Sequence, residues 1–237
     1  MTSTTPSCQE GPQMARIALV HATRVAIAPI EEAAQALWPE AETISILEEG
    51  LSVDRQKSAA LSSELWARIV AIAKYAATIR PDGILFTCSA FGAAVDDAAR
   101  QITLPILKPN EAMFDNALSF GERIAMIYTF PPAAQSLTEE FQEAASARGS
   151  NATLTPYFSE GALAAKRAGD HCEHDLLLAK TARQIKDADV MILAQFSMSG
   201  AADAVRRQTN VPVLTSPEAA VNEMRRRVEA GARQGPC

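Results

Sequence analysis

No CxxC pair occurs anywhere in this chain. Its four cysteines, Cys8, Cys88, Cys172 and Cys237, are spread widely over 237 residues, which argues against a disulfide framework. A phosphate-binding loop is also missing. "FGAA" and "MSGAA" contain glycine, but neither is part of a GxGxxG or GK[ST] pattern, so a flavodoxin-like nucleotide or regulatory module lacks its usual signature. Basic residues are not concentrated. The densest run, Arg225–Arg226–Arg227, is expected to be the solvated face of a C-terminal helix, and no nucleic-acid partner is expected. No apolar run resembles a membrane span, so no membrane partner is expected either. The opening "MTSTTPSCQEGPQM" lacks an apolar h-region. Residues 1–14 therefore read as a flexible tail, and a cytoplasmic location is the default expectation.

What remains is ordinary soluble-protein composition: 48% hydrophobic, 21% charged, and a net charge of −6 from scattered acids. The length allows one large domain or two small ones, each with a real core. "DHCEHD" places His171 and His174 on one face of a helix, with Cys172 between them. A metal site would need further ligands, and no second ligand cluster is evident. A polar helix start is the preferred reading, and no metal is expected.

The chain carries an internal repeat. "DGILFTCSAFGAAVDDAARQ" (82–101) and "DVMILAQFSMSGAADAVRRQ" (189–208) align without a gap at a constant offset of 107 positions. Asp82/Asp189, Ala94/Ala201, Asp96/Asp203, Arg100/Arg207 and Gln101/Gln208 are identical across that offset, as are Pro105/Pro212, Leu107/Leu214, Glu111/Glu218 and Ala112/Ala219. "RIALVHAT" (16–23) pairs with "RIAMIYTF" (123–130) in the same register. A weaker match, "EEGL" from Glu48 beside "SEGAL" from Ser159, needs a four-residue shift.

Each half reads in the same order. A short apolar strand is followed by a helix ("PIEEAAQALW", "TEEFQEAAS"), then a second strand ("ETISIL", "ATLTPYF"). A long amphipathic helix follows; in the first half Leu61, Leu65, Ile69, Ile72 and Ala76 fall at helical spacing. The third strand, "GILFT" or "VMILA", is apolar without alternation, as expected of a strand covered on both faces. An alanine-rich helix and a brief "LPIL" or "VPVL" strand complete the unit. Strands alternating with helices indicate parallel βαβ units. The expected fold is α/β: two pseudosymmetric lobes from an internal duplication, each a roughly four-stranded parallel sheet flanked by helices.

In parallel α/β sheets, ligands bind outside the carboxyl ends of the strands. That rule selects His21 to Thr23 and Thr87 to Ala90 in the first half. In the second half it selects Tyr128 to Phe130 and Ala194 to Ser197. A pseudo-twofold between the lobes would bring Cys88 and Gln195 to a shared cleft from opposite sides.

The pairing of "FTCSA" with "LAQFSM" resembles the aspartate/glutamate racemase superfamily, the group of glutamate, aspartate and hydantoin racemases, maleate isomerase and arylmalonate decarboxylase. The resemblance spans about Arg16 to Val228. It implies an active site between two α/β lobes, no cofactor, a small carboxylic acid substrate, and a homo-oligomer (a dimer or higher). It also implies that the C-terminal segment crosses back. Residues 15–115 with 216–237 would then form the first lobe and 116–215 the second. By the same resemblance Cys88 matches the first family cysteine, with Ser89 and Ala90 in the donor loop. Gln195 stands where the second cysteine belongs, followed by Phe196 and Ser197. Thr129 and Phe130 match a loop that helps hold a substrate carboxylate. His21 and Thr23 match a polar position after the first strand, and Asn110 is a weaker candidate.

By position alone, Cys88 reads as a small core residue at a strand end; the repeat and the resemblance make it a candidate acid–base thiol. A strand-to-helix setting is expected to lower its pKa toward roughly 3.5–7.5, making thiolate available at neutral pH. Nearby N–H groups could bind a carboxylate and stabilise an enediolate. Gln195 reads either as a polar strand end bonded to backbone or as a substrate contact. His21 reads either as a satisfied structural histidine or as a ligand contact. Phe91, Phe196 and Met198 are pocket candidates, with core packing preferred. An amide cannot serve as the second base of a racemase, so the expected activity is that of a single-thiol isomerase or lyase acting at the α-carbon of a small carboxylic acid. The alternative is a carboxylate-binding protein of the same fold.

Overall fold

The computed structural model describes residues 14–58 and 60–232. Cys8, Cys237 and nearly all of the expected N-terminal tail lie outside that range. Two four-stranded sheets, each all-parallel, carry the fold. The first contains β1 (Arg16–His21), β2 (Glu42–Leu47), β3 (Gly83–Phe86) and β4 (Ile106–Leu107) in the order β2-β1-β3-β4. The second repeats this order as β6-β5-β7-β8, with β5 (Arg123–Tyr128), β6 (Thr153–Phe158), β7 (Val190–Leu193) and β8 (Val213–Thr215). Every residue of β3 and β7 is buried, as the unbroken apolar runs require, whereas the edge strands β2 and β6 are largely half-buried or exposed.

Five helices accompany the first sheet: α1 (Ile27–Leu37), α2 (Gly50–Gln56), α3 (Ser63–Thr78), α4 (Gly92–Gln101) and α5 (Glu111–Ala117). Five more follow: α6 (Pro131–Ala147), α7 (Ala162–Arg167), α8 (His171–Gln184), α9 (Ala202–Arg206) and α10 (Ser216–Ala232). Local chemistry sets several starts. The Ser62 hydroxyl accepts from the Leu65 N–H at 3.2 Å to cap α3, and Asp170 accepts from Glu173 at 3.0 Å to cap α8. Two prolines open α6, where a missing N–H costs nothing. In α3 the buried stripe is Leu65, Ile69, Ala73 and Ala76. Leu65, Ile69 and Ala76 match the spacing read in the sequence, while Leu61 lies ahead of the cap and Ala73 takes the buried position expected of the half-buried Ile72.

One identity in the repeat has a structural cause. The Arg16 N–H donates to the Asp82 carboxylate at 2.8 Å while the Asp82 N–H donates back to the Arg16 carbonyl at 2.7 Å. Arg123 and Asp189 make the same reciprocal pair at 2.9 and 2.8 Å. The aspartates pin the start of each first strand to the start of each third strand.

A continuous core joins the lobes: Phe91, Ala94 and Val95 of the first pack with Ile124, Met126, Leu137 and Phe141 of the second. Phe114 meets Phe141 edge-on at 5.7 Å. Phe141 is almost fully buried, and truncating it to alanine is expected to cost about 3–5 kcal/mol. The C-terminal α10 packs on the first sheet through Ala220, Val221 and Met224, against Ile17, Leu19 and Leu85. Gly83 makes this approach possible, because a Cβ there would lie 2.4 Å from the Met224 sulfur.

Candidate active site

The strand ends and the turns after them converge on one small pocket between the two sheets. Cys88 follows β3 and precedes a single 3₁₀ turn, Ser89–Phe91, that leads into α4. Gln195 follows β7 and precedes the equivalent 3₁₀ segment, Phe196–Ala201. Both line the pocket, together with Thr23, Thr87, Ser89, Phe130, Phe196 and Ser197. Of the residues expected from sequence, Ala22, Asn110, Tyr128 and Ala194 do not reach its wall, and neither do three that the resemblance marks as site residues, His21, Ala90 and Thr129.

Those three act from behind it. His21 is fully buried, with Nδ1 2.9 Å from the Thr87 hydroxyl and Nε2 3.1 Å from that of Ser45, which donates to Glu31 at 2.8 Å. Burial lowers its pKa to about 4, so it stays a neutral imidazole at pH 7. Thr129 donates from both its N–H (2.7 Å) and its hydroxyl (2.6 Å) to Gln195 Oε1. A backbone N–H can only donate, so the atom facing it must be the amide oxygen. The Gln195 NH₂ is the end left to offer a proton to a ligand. Ala90 is buried in the 3₁₀ turn that follows Cys88.

The thiol departs from expectation. Cys88 has only part of its surface at the pocket, and burial pushes its pKa up to about 11. The Ala90 N–H and the Arg55 charge pull the other way, and the Glu140 charge reinforces the rise. Desolvation outweighs the strand-to-helix setting, so the resting group is S–H and not the thiolate that the sequence suggested.

Ser89 and Asn110 serve assembly. The Ser89 hydroxyl donates to the Ala194 carbonyl at 3.1 Å and accepts from the Asn110 amide at 2.7 Å. The Asn110 oxygen in turn accepts from Ser216, so four chain segments are stitched together beneath the pocket. Phe91 and Met198 belong to the core, while Phe196 is both buried and pocket-lining.

Val25 and Ala26, in the turn after β1, also line the pocket, and two helices absent from the sequence reading contribute the rest. Ser52 of α2, and Leu163 and Arg167 of α7, line the pocket. Ser52 and Leu163 are equivalent under the four-residue shift that relates "EEGL" to "SEGAL", so that weak match was the signal that could have found them. Arg55, also on α2, is buried with its guanidinium on three carbonyls: Ala90 (3.4 Å), Ser58 (2.7 Å) and Pro132 (2.9 Å). Arg167 stands exposed at the rim and forms no ion pair among the described residues.

With this geometry, the comparison with known proteins is specific. Residues 20–224 match the family described as Asp/Glu/Hydantoin racemase. The chain belongs to that family. Among solved structures it is similar to glutamate racemase isoform RacE1 from Bacillus anthracis, at 12% identity and a TM-score of 0.76, covering 92% of this chain and 82% of that one. It is also similar to allantoin racemase from Pseudomonas fluorescens, at 17% identity and a TM-score of 0.63, covering 91% and 92%. A third similarity is to a liganded arylmalonate decarboxylase in which a glycine is changed to cysteine and a cysteine to serine, at 15% identity and a TM-score of 0.59, covering 92% and 94%. At these identities the shared property is the fold. Among curated proteins none matches the sequence significantly.

The metal reading of "DHCEHD" finds no geometry. His174 is buried against Asp175 at 2.8 Å, His171 is exposed beside Lys166, and no group of three potential ligands occurs among the described residues. Arg225 pairs with Glu40 and Glu229, Arg226 with Glu223, and Arg227 with Glu223 and Glu111, so the basic run is committed within the chain. No helix among the described residues is long and apolar enough to cross a membrane.

Proposed function

We propose that this member of the family performs cofactor-independent proton transfer or decarboxylation at the α-carbon of a small carboxylic acid, with Cys88 as its single acid–base group. The observation that carries the reading is the asymmetry of the pocket: a thiol on one side, and on the other an amide whose oxygen is clamped by Thr129. An amide neither removes nor delivers a proton at useful rates, so two-base racemisation is disfavoured. A thiol resting as S–H suits the donor half of such chemistry.

For a malonate-type substrate, the C–C bond to one carboxylate breaks and its electron pair passes to the α-carbon as an enediolate, with CO₂ leaving. The Cys88 S–H proton then goes to that carbon from one face, and the thiolate regains a proton from water. The remaining carboxylate is held by Arg167 at the rim and by donors from the Gln195 amide, Thr23 and Ser197. Phe130 and Phe196 pack against the apolar side group. Lobe boundaries at 15–115 with 216–237, and at 116–215, put Cys88 and Gln195 on different lobes.

The test is deuterium incorporation in D₂O from a panel of malonates, amino acids and hydroxy acids, with wild type and Cys88→Ser side by side. Incorporation at the α-carbon that disappears in the variant is expected; equal incorporation by both removes Cys88 from the chemistry. A second reading, a carboxylate-binding protein without turnover, is favoured by the same raised thiol pKa. It predicts saturable binding with no deuterium uptake from any member of the panel.

A further inference from the structure

Behind the pocket lies a carboxylate that the chemistry above does not use. Glu140 of α6 is 6% exposed at the junction of the lobes, and its Oε2 has no hydrogen-bond partner. Its other oxygen accepts from the Ser136 hydroxyl at 3.3 Å, and that hydroxyl accepts from the Gly92 N–H at 3.2 Å. Gly92 is the first residue of α4, four positions after Cys88. A Cβ on Gly92 would lie 2.0 Å from Glu140 Oε1, so the carboxylate occupies the space that any other residue would fill. A buried, half-satisfied acid needs an explanation, and its position supplies one.

We propose that Glu140 is a positioning residue for Cys88: lodged through Ser136 against the N-terminal turn of α4, it offsets the positive end of that helix and disfavours ionisation of the neighbouring thiol. The ten-residue α4 would otherwise present its first-turn N–H groups and dipole toward an anion at Cys88. Other charges act at this junction. Lys108, paired with Asp96, lies nearby and favours the ionised carboxylate, while Asp96 and Glu111 oppose it. On the far side Arg55, bound to carbonyls of both lobes, favours a thiolate. Burial raises the Glu140 pKa to about 8, so the carboxyl is mostly protonated at neutrality and ionises before the thiol does. Its influence on Cys88 is therefore weak at pH 7 and strong above pH 8. In a single-thiol enzyme this arrangement keeps the proton donor loaded over a wide pH range, and that consequence rests on the function proposed above. The electrostatic link itself does not.

Alkylation of the native protein by iodoacetamide, followed by mass mapping of the Cys88 peptide from pH 6 to 11, reads the thiol directly and needs no substrate. In wild type, the rate is expected to rise in two phases, an inflection near pH 8 from Glu140 preceding the thiolate step. In Glu140→Gln the inflection disappears, and alkylation at pH 9 to 10 is about twofold to threefold faster, less than the tenfold of one pKa unit because Glu140 is the smallest of the influences on the thiol. Gly92→Ala, which expels the carboxylate without removing it, is expected to move the profile in the same direction. A wild-type profile with one phase, or a folded Glu140→Gln variant with an unshifted profile, overturns the proposal. The wild-type measurement decides the matter even if neither variant folds. Absence of turnover in D₂O leaves this result untouched, so the two proposals fail separately.

Discussion

Replacing Gln195 by methionine isolates what the amide does in the pocket. The two side chains are of similar length, but the thioether cannot replace an oxygen that accepts from the Thr129 N–H at 2.7 Å and from its hydroxyl at 2.6 Å. Thr129 is 4% exposed, so its N–H has few alternatives. An unsatisfied buried donor costs about 1–3 kcal/mol. The hydroxyl can rotate toward another acceptor, and water entering the pocket can partly replace the lost oxygen. The net loss is therefore expected in the lower part of that range, about 1–2 kcal/mol, or roughly 3–6 °C in Tm for a chain of this size. Gln195→Glu keeps an acceptor for both bonds and is expected to retain stability near pH 7. Thermal unfolding by calorimetry separates the two variants. If Gln195→Met unfolds within a degree of wild type, the Thr129 clamp does not hold the amide, and the argument that its NH₂ faces a ligand loses its basis.

Further outcomes follow from other contacts. Cys88→Ser should fold normally yet lower turnover by about 10²- to 10⁴-fold, the usual share of a general acid, measured by α-carbon deuterium uptake. Arg167→Ala should weaken binding of a small dicarboxylate about tenfold by calorimetric titration while leaving the alkylation rate of Cys88 unchanged. His21 titrates near 6.5 when unfolded but near 4 when folded, so between these values the unfolded chain binds more protons and stability falls with acidification. That loss is about 2 kcal/mol from pH 7 to pH 5, and a His21→Gln variant should show a correspondingly flatter dependence of its urea midpoint. Gly83→Ala drives a Cβ toward the Met224 sulfur and should cost about 1–3 kcal/mol in the same assay by prising α10 from the first sheet.

How much was legible depended on whether a property is local. The strands β1, β3, β5 and β7 announce themselves as apolar runs, and the offset of 107 residues relates each first-half strand on this list to its second-half equivalent. The second strands sit at an offset of 111, the same four-residue shift as the "EEGL" and "SEGAL" match. The short helices α2 and α7 gave no periodic signal because they span seven and six residues, about two turns. Ser52, Arg55, Leu163 and Arg167 were missed with them. The strand-end rule selected His21 and Thr129, and the structure places both behind the pocket wall. That rule places backbone and is silent on side-chain direction, and both residues face inward to hydrogen-bond partners 66 residues away.

The sequence by itself determined the repeat, the α/β order of its elements, the family resemblance, and the fact that one half carries a thiol where the other carries an amide. These follow from residue identity and from spacing along the chain. Only the tertiary structure decided the protonation of that thiol, the orientation of that amide, and which charges stand near them. Cys88 is desolvated by burial, Gln195 is oriented by a strand end 66 residues away, and Glu140 reaches the start of α4 from the second lobe. Solvent exclusion and pairing are properties of segments far apart in sequence and close in space, and no periodicity records them.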